Sequence, residues 1–196
     1  MSSSTRRLQT GDHSELRALR LRALAGEPSA FGSTFEREEA FAEATWKDRL
    51  AAGGNPHFGG FDASGALVGL AVGMIDPTDL VVAHLVGMWV DPSARRSGLG
   101  VELAGLVIDW AIGRGARTVH LWVTGGNHRA EALYAKLGFV RTGHSLVRDR
   151  DGLAEIEMAL NVTARIRAET PPSGEERQNG RLPIRGWSGG GVWTER

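Results

Sequence analysis

The sequence predicts one α/β (α+β) domain whose elements follow the order β-α-α-β-β-β-α-β-α-β-β. Two patterns predict it. An apolar run at 81–90 ends in a turn with Pro92 and leads through a glycine-rich segment into an apolar helix at 101–112. A strand of branched and aromatic residues at 118–124 leads into a second helix at 127–137. Short apolar runs bounded by turn signals are typical of buried strands, so these two strands form the centre of the domain.

The other elements are separated by residues that favour turns. Asp12 or Ser14 caps the first helix, and Gly26-Glu27-Pro28 ends it. Asp62-Ala63-Ser64-Gly65 joins the two strands of an antiparallel hairpin. These remaining elements are a strand at 6–9, the helix that ends at 26–28, a helix at about 36–52, strands at 57–61 and 66–74, and strands near 140–148 and 153–160.

Composition and charge narrow the class of protein. The formal net charge of 0 gives no general attraction to nucleic acid or to acidic membranes. The chain has no cysteine, which excludes disulfides and a thiolate nucleophile. No apolar segment follows residues 1–7, and no apolar run is long enough to span a membrane. We therefore expect a cytoplasmic protein without a nucleic-acid or membrane partner, and the Ala-, Gly- and Arg-rich composition fits a bacterial source.

The last part of the chain differs in composition from the rest. Residues 162–196 contain Gly-, Pro- and Ser-rich stretches and lack any apolar period. Few apolar residues provide little free energy to offset the entropy of an ordered chain. The sequence therefore predicts a folded domain at 1–161 and a mostly disordered tail at 162–196.

The segment Arg95-x-x-Gly98-x-Gly100, between the central strand and its helix, has the features of a phosphate-binding turn. The first amides of a helix have no partner within it, and the helix dipole places partial positive charge there. Glycines let a pyrophosphate approach those amides, and Arg95 and Arg96 supply charge. A P-loop sequence is absent, and the third glycine of a dinucleotide fingerprint is missing. A plain strand-to-helix loop is the alternative for this segment alone.

A second motif follows the next strand, in the form Asn127-x-x-Ala130-x-x-x-Tyr134-x-x-x-Gly138-Phe139. The two motifs together, in this order, closely resemble those of the GNAT-type N-acetyltransferase superfamily, and the resemblance covers roughly residues 5–160. It implies a mixed, mostly antiparallel sheet of about seven strands with helices on both faces. It also implies direct transfer of an acetyl group from acetyl-CoA to a primary amine, without a metal.

The resemblance implies that acetyl-CoA lies between the fourth and fifth strands. Its pantetheine arm would pair with the backbone of Met88 and Val90, and its pyrophosphate would meet the amides of 96–101. Asn127 would bond the arm or cap its helix, and both can hold at once. Arg129 either meets a phosphate or is an exposed arginine. The implied cofactor residues are Met88, Trp89, Val90, Arg95, Arg96, Ser97, Gly98, Leu99, Gly100, Val101, Asn127, Arg129 and Tyr134.

Two residues are candidates for catalysis. Tyr134, the single tyrosine of the chain, stands where members of the superfamily hydrogen-bond the CoA sulfur, and a phenol there can protonate the departing thiolate. A tyrosine packed in the core is the alternative. His84 is the candidate general base because its pKa range suits deprotonation of an amine, and strict alternation puts it on the face of Met88 and Val90. A structural histidine is the alternative. The histidines show no metal-ligand spacing.

The acceptor site implied by the resemblance involves the first two helices and the last two strands. Phe31 and Trp46 are candidates for its apolar wall, or else ordinary core. Glu36 would bind a cationic substrate, or else favour the helix N-terminus. The expected acceptor is a small molecule with a primary amine. The alternatives are a protein N-terminus or lysine and, in another class, a non-catalytic acyl-CoA-binding regulatory module. A homodimer is a further expectation from the resemblance.

Overall fold

The computed structural model describes residues 3–164, which form one seven-stranded sheet in the order β1-β2-β3-β4-β5-β7-β6. Every neighbouring pair is antiparallel except β4 and β5, which run parallel. The expected mixed, mostly antiparallel sheet is thereby confirmed. The predicted disorder at 162–196 falls, from residue 165 on, outside the described residues. Val162, at the predicted boundary, is fully buried.

The predicted elements are present with small shifts at their ends. The strands are β1 Ser4–Arg7, β2 His57–Phe61, β3 Leu67–Ile75, β4 Val82–Val90, β5 Thr118–Thr124, β6 Val140–Val147 and β7 Ala154–Asn161. The helices are α1 His13–Gly26, α2 Phe35–Glu39, α3 Glu43–Arg49, α4 Leu99–Gly113 and α5 His128–Lys136.

The second helix differs from its prediction, because the segment 36–52 folds as two short helices. Ala40 ends α2, and Ala42 is extended before α3 begins. The break lets Phe41 pack back on Trp46, with ring centroids 6.0 Å apart. It also leaves Glu38 fully buried between the two helices and α1. Apolar residues at helical spacing thus did not reveal the interruption.

The helices cover both faces of the sheet and define two cores. One core joins α4 and α5 to the sheet, and we call this side the α4/α5 face. The other core packs the helices α1, α2 and α3 on the opposite side of the sheet, which we call the α1–α3 face. The start of α4 sits close to the sheet because Gly60 and Gly69 have no side chain. A Cβ on either glycine would lie under 3.3 Å from the side chain of Leu99.

Strand β4 contains a bulge that changes which face its side chains reach. Val72 of β3 pairs with Val86, whereas Leu70 pairs with Trp89, so β4 carries one extra residue. Gly87 adopts a left-handed φ of 61°, which glycine tolerates and which is typical of a bulge. Before the bulge, Val86 packs on the α1–α3 face. After it, Met88 packs on the α4/α5 face.

This bulge corrects the prediction made from strict alternation. His84 shares a face with Val86 and the cavity described below, whereas Met88 and Val90 contact the opposite core. The predicted common face of His84, Met88 and Val90 was therefore wrong. An isolated glycine within a strand is a known sign of a bulge. The bulge exchanges the faces that the following side chains reach.

Strands β4 and β5 are paired only at their beginnings. Their register runs from Val82 opposite Thr118 to His84 opposite His120 and goes no further. From His84 onward the two strands diverge, so a split opens between 85–90 and 121–124. The split connects the α4/α5 face with the α1–α3 face.

Candidate active site

The loop from Arg95 to Gly100 presents unpaired amides at the wide end of the split. Arg96 and Gly98 both have left-handed φ angles, 66° and 94°. Among the described residues, no carbonyl or side chain accepts from the amides of 96–98 or of Gly100. The amides of Leu99 and Val101 are engaged by Ser97 Oγ and the Gly98 carbonyl oxygen. Successive free amides ahead of a fifteen-residue helix form an anion-binding concavity.

The two motif glycines of this loop have different physical roles. Gly98 has open space around its Cα, and its left-handed backbone is what favours glycine there. Gly100 has ordinary helical backbone, but a Cβ there would lie 2.7 Å from Leu133 Cδ1 of α5. The side chains of Met88 and Val90 are the next nearest groups. Gly100 therefore lets α4 and α5 approach each other beside the split.

The two motif arginines also differ. Arg95 is half-buried: its Nε donates to the Val90 carbonyl oxygen at 2.8 Å, and its Nη2 pairs with Glu27 Oε1 at 2.5 Å. Glu27 also accepts a hydrogen bond from Trp89 Nε1. Arg95 thus fastens the loop to β4 and α1, whereas Arg96 is exposed beside the free amides. The side chain of Trp89 is buried on the α1–α3 face, so only its backbone borders the split.

Helix α5 places the second motif on the same side. Asn127 is its N-cap, and Asn127 Oδ1 accepts from the Ala130 amide at 3.2 Å, which is the capping role foreseen from the sequence. Arg129 is exposed in the first turn. Tyr134 is buried against Phe139, with ring centroids 5.8 Å apart. Burial raises the pKa of the Tyr134 phenol well above its ordinary value, so the hydroxyl stays protonated at neutral pH.

A cavity of about 340 Å³ lies on the α1–α3 face, below the split. Its floor crosses the sheet from β2 to β5, and residues of α1 and α3 cover part of it from above. Its polar lining includes Arg20, Arg49, Asn55, His57, Asp76, Thr78 and His84, and its apolar lining includes Leu16, Leu70, Val72, Met74, Val86 and Trp122. The bulge residue Gly87 also lines it, so the cavity reaches the point where β4 changes face.

His84 is held in this cavity by a carboxylate. Its Nε2 lies 2.9 Å from Asp76 Oδ2. Hydrogen bonds from Thr78 and His84 lower the pKa of Asp76, so the carboxylate is ionised and accepts a hydrogen bond from the Nε2–H group of His84. That contact leaves Nδ1 of His84 with the free lone pair. The His84 ring lies beside the His120 ring, with centroids 6.0 Å apart, and His120 Nδ1 contacts Glu157 at 2.9 Å.

The roof of the cavity carries a buried charge cluster. Arg20 Nη2 lies 2.9 Å from Glu38 Oε1, and Arg49 Nη1 lies 3.1 Å from Glu38 Oε2. Burial alone would raise the pKa of Glu38, but its bonds to Arg20 and the charges of both arginines lower it. His57 lies nearby: burial, with the charges of Arg49 and Arg20 adding, lowers its pKa to about 4. His57 is therefore neutral at physiological pH.

The three residues predicted for the acceptor site lie elsewhere. Phe31 is core and packs under the Arg20 guanidinium at 4.4 Å, while Trp46 is fully buried under Arg49. Glu36 is exposed in the first turn of α2. None of the three is among the residues that line the cavity. The loop around Phe31 is instead fixed by Arg148, which donates to the carbonyl oxygens of Phe31 and Ser29.

The structure also brings together residues that the sequence did not single out. Asp76 precedes His84 by eight residues, and the turn between β3 and β4 brings the two side chains together. Arg20 and Arg49 come from two different helices, α1 and α3, and meet at Glu38. Trp122 sits in the middle of β5, where its alternation with Leu121 and Val123 places it on the face opposite their core.

With this geometry in place, comparison with known proteins identifies the class. The profile of the acetyltransferase (GNAT) family matches residues 20–139, more than half of the chain. The chain belongs to this family. Both motifs, the split and the free amides of the loop lie within or at the edge of the matched region.

One curated relative and two solved structures illustrate the likeness. A mycothiol acetyltransferase from Beutenbergia cavernae is 34% identical over 122 residues, which are 62% of this chain and 39% of the relative. The chain thus spans about two fifths of that relative. The ribosomal-protein-S18-alanine N-acetyltransferase from Escherichia coli is 26% identical with a TM-score of 0.59, covering 82% of this chain and 94% of that one. The structure of yncA from Salmonella typhimurium, with its cofactor acetyl-CoA, shares the fold at 17% identity and a TM-score of 0.66. The match covers 93% of this chain and 100% of that one.

The structure describes residues 3–164. Within that part of the chain, no helix is long and apolar enough to cross a membrane. The same residues contain no cluster of histidines and carboxylates arranged to hold a metal ion.

Proposed function

We propose that this protein transfers the acetyl group of acetyl-CoA to the primary amine of a small molecule. One observation carries the proposal: the split between β4 and β5 joins a loop of free amides on one face to a polar cavity containing His84 on the other. A cofactor and an acceptor can therefore meet from opposite faces. This arrangement supports direct attack within a ternary complex, which needs no nucleophilic side chain.

The residues on the α4/α5 face fit acetyl-CoA. Free amides at 96–98 and Gly100, with Arg96 beside them, suit a pyrophosphate. The unpaired edge of β4 beyond His84, including Met88 and Val90, can pair with an extended pantetheine arm. When bound, acetyl-CoA supplies an acetyl group activated as a thioester. These residues hold and orient it, and Asn127 and Arg129 stand at the start of α5 beside them.

The reaction needs two proton movements, which we assign to two residues. His84, oriented by Asp76, accepts at Nδ1 the proton that the acceptor ammonium must lose before nitrogen forms its bond to the acetyl carbon. The carbon–sulfur bond breaks in the same transfer. Tyr134, kept protonated by burial, donates its proton to the departing sulfur. The nitrogen, which becomes positively charged on attack, then loses its second proton, which restores the Tyr134 phenol. His84 releases the first proton to solvent, and the products are an amide and free CoA.

The shape of the acceptor side favours a small molecule over a protein. A protein amine would need an open, shallow cleft around Phe31 and Leu146. Here the Phe31 loop is held by Arg148, and the polar groups line a concave pocket of about 340 Å³ that is partly open to solvent. That volume is at the lower end of the range for small-molecule pockets. Asp76 supplies an acidic group to this pocket, which suits a cationic amine.

The experiment is a measurement of CoA release from acetyl-CoA with a thiol reagent, over a panel of small amines and short peptides. We expect release with at least one small amine. The variant His84→Gln should lose about 100-fold in kcat at neutral pH and recover much of it at alkaline pH, where the amine loses its proton unaided. His144→Gln, an exposed histidine on β6, is the matched control and should keep the wild-type rate.

Other results would contradict the proposal in distinct ways. Preference for peptides would indicate a protein acceptor. Acetyl-CoA that raises the melting temperature without any CoA release would favour the non-catalytic binding module. A His84→Gln rate that stays low at every pH would remove His84 from the role of base.

A further inference from the structure

His57 on β2 is a buried histidine that the acetyl transfer proposed above does not use. It is 8% exposed and lies among the residues that line the cavity on the α1–α3 face. Its Nδ1 lies 3.0 Å from the carbonyl oxygen of Asn55, and because a carbonyl oxygen only accepts, Nδ1 carries the ring proton. Burial is the main reason that the pKa of His57 is lowered, so the ring is neutral and Nε2 keeps a free lone pair.

This free nitrogen is open to the cavity. Among residues 3–164, Nε2 of His57 has no hydrogen-bond partner. The side-chain atoms in that range that lack both a partner and accessible surface are Trp46 Nε1 and Glu131 Oε1. Since Nε2 is not one of them, it retains accessible surface, and the side of His57 that has such surface borders the cavity. The lone pair can therefore accept a hydrogen bond from a molecule in the cavity.

The two arginines of the cavity, in contrast, have partners within the protein. Arg20 and Arg49 both bind Glu38. Their guanidiniums also pack on the rings of Phe31 and Trp46, at 4.4 Å in each case. These contacts hold the arginines in place without a ligand, so the recognition argued below does not depend on their charge.

The chemistry of Nε2 decides which group suits it. A carboxylate, an ether or another pure acceptor cannot bond to a lone pair. An ammonium group is unsuited too, because this position disfavours positive charge: His57 itself stays unprotonated, with its pKa lowered to about 4. A neutral donor remains, and a hydroxyl group is the smallest such donor on an aliphatic chain.

The strand register separates His57 from the reacting amine, which lies beside β4 where the split opens. His57 pairs with Val72 on β3, which pairs with Val86 on β4. Two strand spacings, or about 10 Å, therefore separate β2 from β4. A hydrogen bond of about 3 Å at each end leaves on the order of 4–7 Å, the span of about three to five carbons. The floor between the two ends is apolar, with Leu70, Val72 and Met74.

From these observations we infer that the acceptor is an amino alcohol, with its amine at His84 and a hydroxyl group that donates to Nε2 of His57. The inference rests on the proposed function and narrows its substrate class. His57 is then a residue that determines specificity: it contacts the acceptor and takes no part in the proton transfers. An acceptor without the hydroxyl leaves a buried lone pair unpaired, which weakens its binding.

The test compares acceptors that differ at one end of the chain. CoA release is measured for aminopropanol against butylamine, aminobutanol against pentylamine and aminopentanol against hexylamine, with the amine and the hydroxyl at opposite ends of each amino alcohol. A methyl group replaces the hydroxyl within each pair, so the two members have similar size. The methyl ether of each amino alcohol keeps the oxygen but cannot donate. We expect kcat/KM of at least one amino alcohol to exceed that of its alkylamine and of its methyl ether by about tenfold, mainly through KM.

A variant series assigns the effect to His57. His57→Phe keeps a ring without nitrogens, so the ratio of amino alcohol to alkylamine should approach one. His57→Gln, whose amide oxygen can accept, should keep part of the ratio. His144→Phe, the same change at an exposed histidine of β6, is the control and should keep the full ratio. Because the same substrates are used throughout, differences in their basicity cancel between variant and wild type.

The outcomes separate this inference from the function beneath it. Equal turnover of amino alcohols, alkylamines and methyl ethers would overturn the amino alcohol and leave the acetyltransferase standing, and so would a full ratio in His57→Phe. If His57→Phe does not fold, the methyl ethers tested on the wild-type protein still decide between a donating hydroxyl and none. No turnover of any amine would overturn the proposed function and this inference with it.

Discussion

The two faces of the sheet are built in different ways although one split connects them. The α4/α5 face takes its site from one continuous stretch, 88–139, in which each motif lies next to the strand that positions it. The α1–α3 face gathers Arg20, Arg49, Asp76 and His84 from two helices, a turn and a strand. The first site depends on backbone amides and close helix packing, whereas the second depends on side-chain charges.

This difference teaches where sequence variation can act. Backbone amides and glycine contacts restrict a site to one type of ligand, because a side chain at Gly100 would collide with Leu133. Under the proposed function, the α4/α5 face is the cofactor face, which holds acetyl-CoA mainly through backbone amides, and the α1–α3 face is the acceptor face, where side chains select the substrate.

The largest effect should come from the buried cluster of the acceptor face. Glu38→Gln leaves the guanidiniums of Arg20 and Arg49 buried without their counter-charge. We expect a loss of about 3 kcal/mol or more in the free energy of unfolding, because breaking a buried pair leaves uncompensated charge. Chemical denaturation measures it. Glu36→Gln, exposed on the same helix, is the matched control and should change stability little.

The same pair of variants gives a test by pH. The pKa of Glu38 is lowered from its ordinary value of 4.5, so its stabilising contribution is present above 4.5 and is lost as the pH falls through the lowered pKa. Glu36→Gln should keep that loss of stability in acid, and Glu38→Gln should show less of it. Equal acid sensitivity in both variants, or an unchanged stability of Glu38→Gln, would mean that the arginines do not need this carboxylate.

The next effect belongs to the cofactor face. Tyr134→Phe removes one hydroxyl from a buried ring and should lower kcat about 100-fold, while acetyl-CoA affinity and melting temperature change little. Stopped assays of CoA release give kcat, and a titration of acetyl-CoA gives its affinity. Because burial raises the pKa of the phenol above its ordinary 10.0, wild-type kcat should show no loss from tyrosine ionisation below that pH. An unchanged kcat would remove Tyr134 from the role of acid.

The loop and the helix cap of the cofactor face could be predicted largely from the sequence because their determinants are local. The strand, the glycines and the caps act within a few residues of one another, and Asn127 caps α5 as foreseen. The bulge at Gly87 was missed, although a glycine within a strand was its visible sign. That single residue places His84 and Met88 on opposite faces of the sheet, whereas strict alternation predicted one common face.

The acceptor face could not be predicted in the same way. Phe31 and Trp46 are large aromatic residues that could contact a substrate, but they pack against Arg20 and Arg49 and belong to the core. Glu38 and Glu36 are two positions apart on one helix, and only the long-range contact with α1 distinguishes the buried residue from the exposed one. A charge that is buried by a distant element leaves no local pattern.

The smallest effect would sharpen the comparison within the loop itself. Arg96→Asn removes an exposed charge beside the free amides, and asparagine tolerates the left-handed backbone that Arg96 adopts. We expect acetyl-CoA to bind about three- to fivefold more weakly, more so at low salt, with no change in melting temperature.

Arg95→Gln should lower the stability and leave acetyl-CoA binding nearly unchanged, because Arg95 joins the Val90 carbonyl oxygen to the Glu27 carboxylate. Its partly exposed ion pair is screened by solvent, so the loss should be only about 0.5–1 kcal/mol of stability. Calorimetric titration measures the affinity for acetyl-CoA, and thermal melts measure stability. If Arg95→Gln weakens acetyl-CoA binding and Arg96→Asn does not, the roles assigned to the two arginines are reversed.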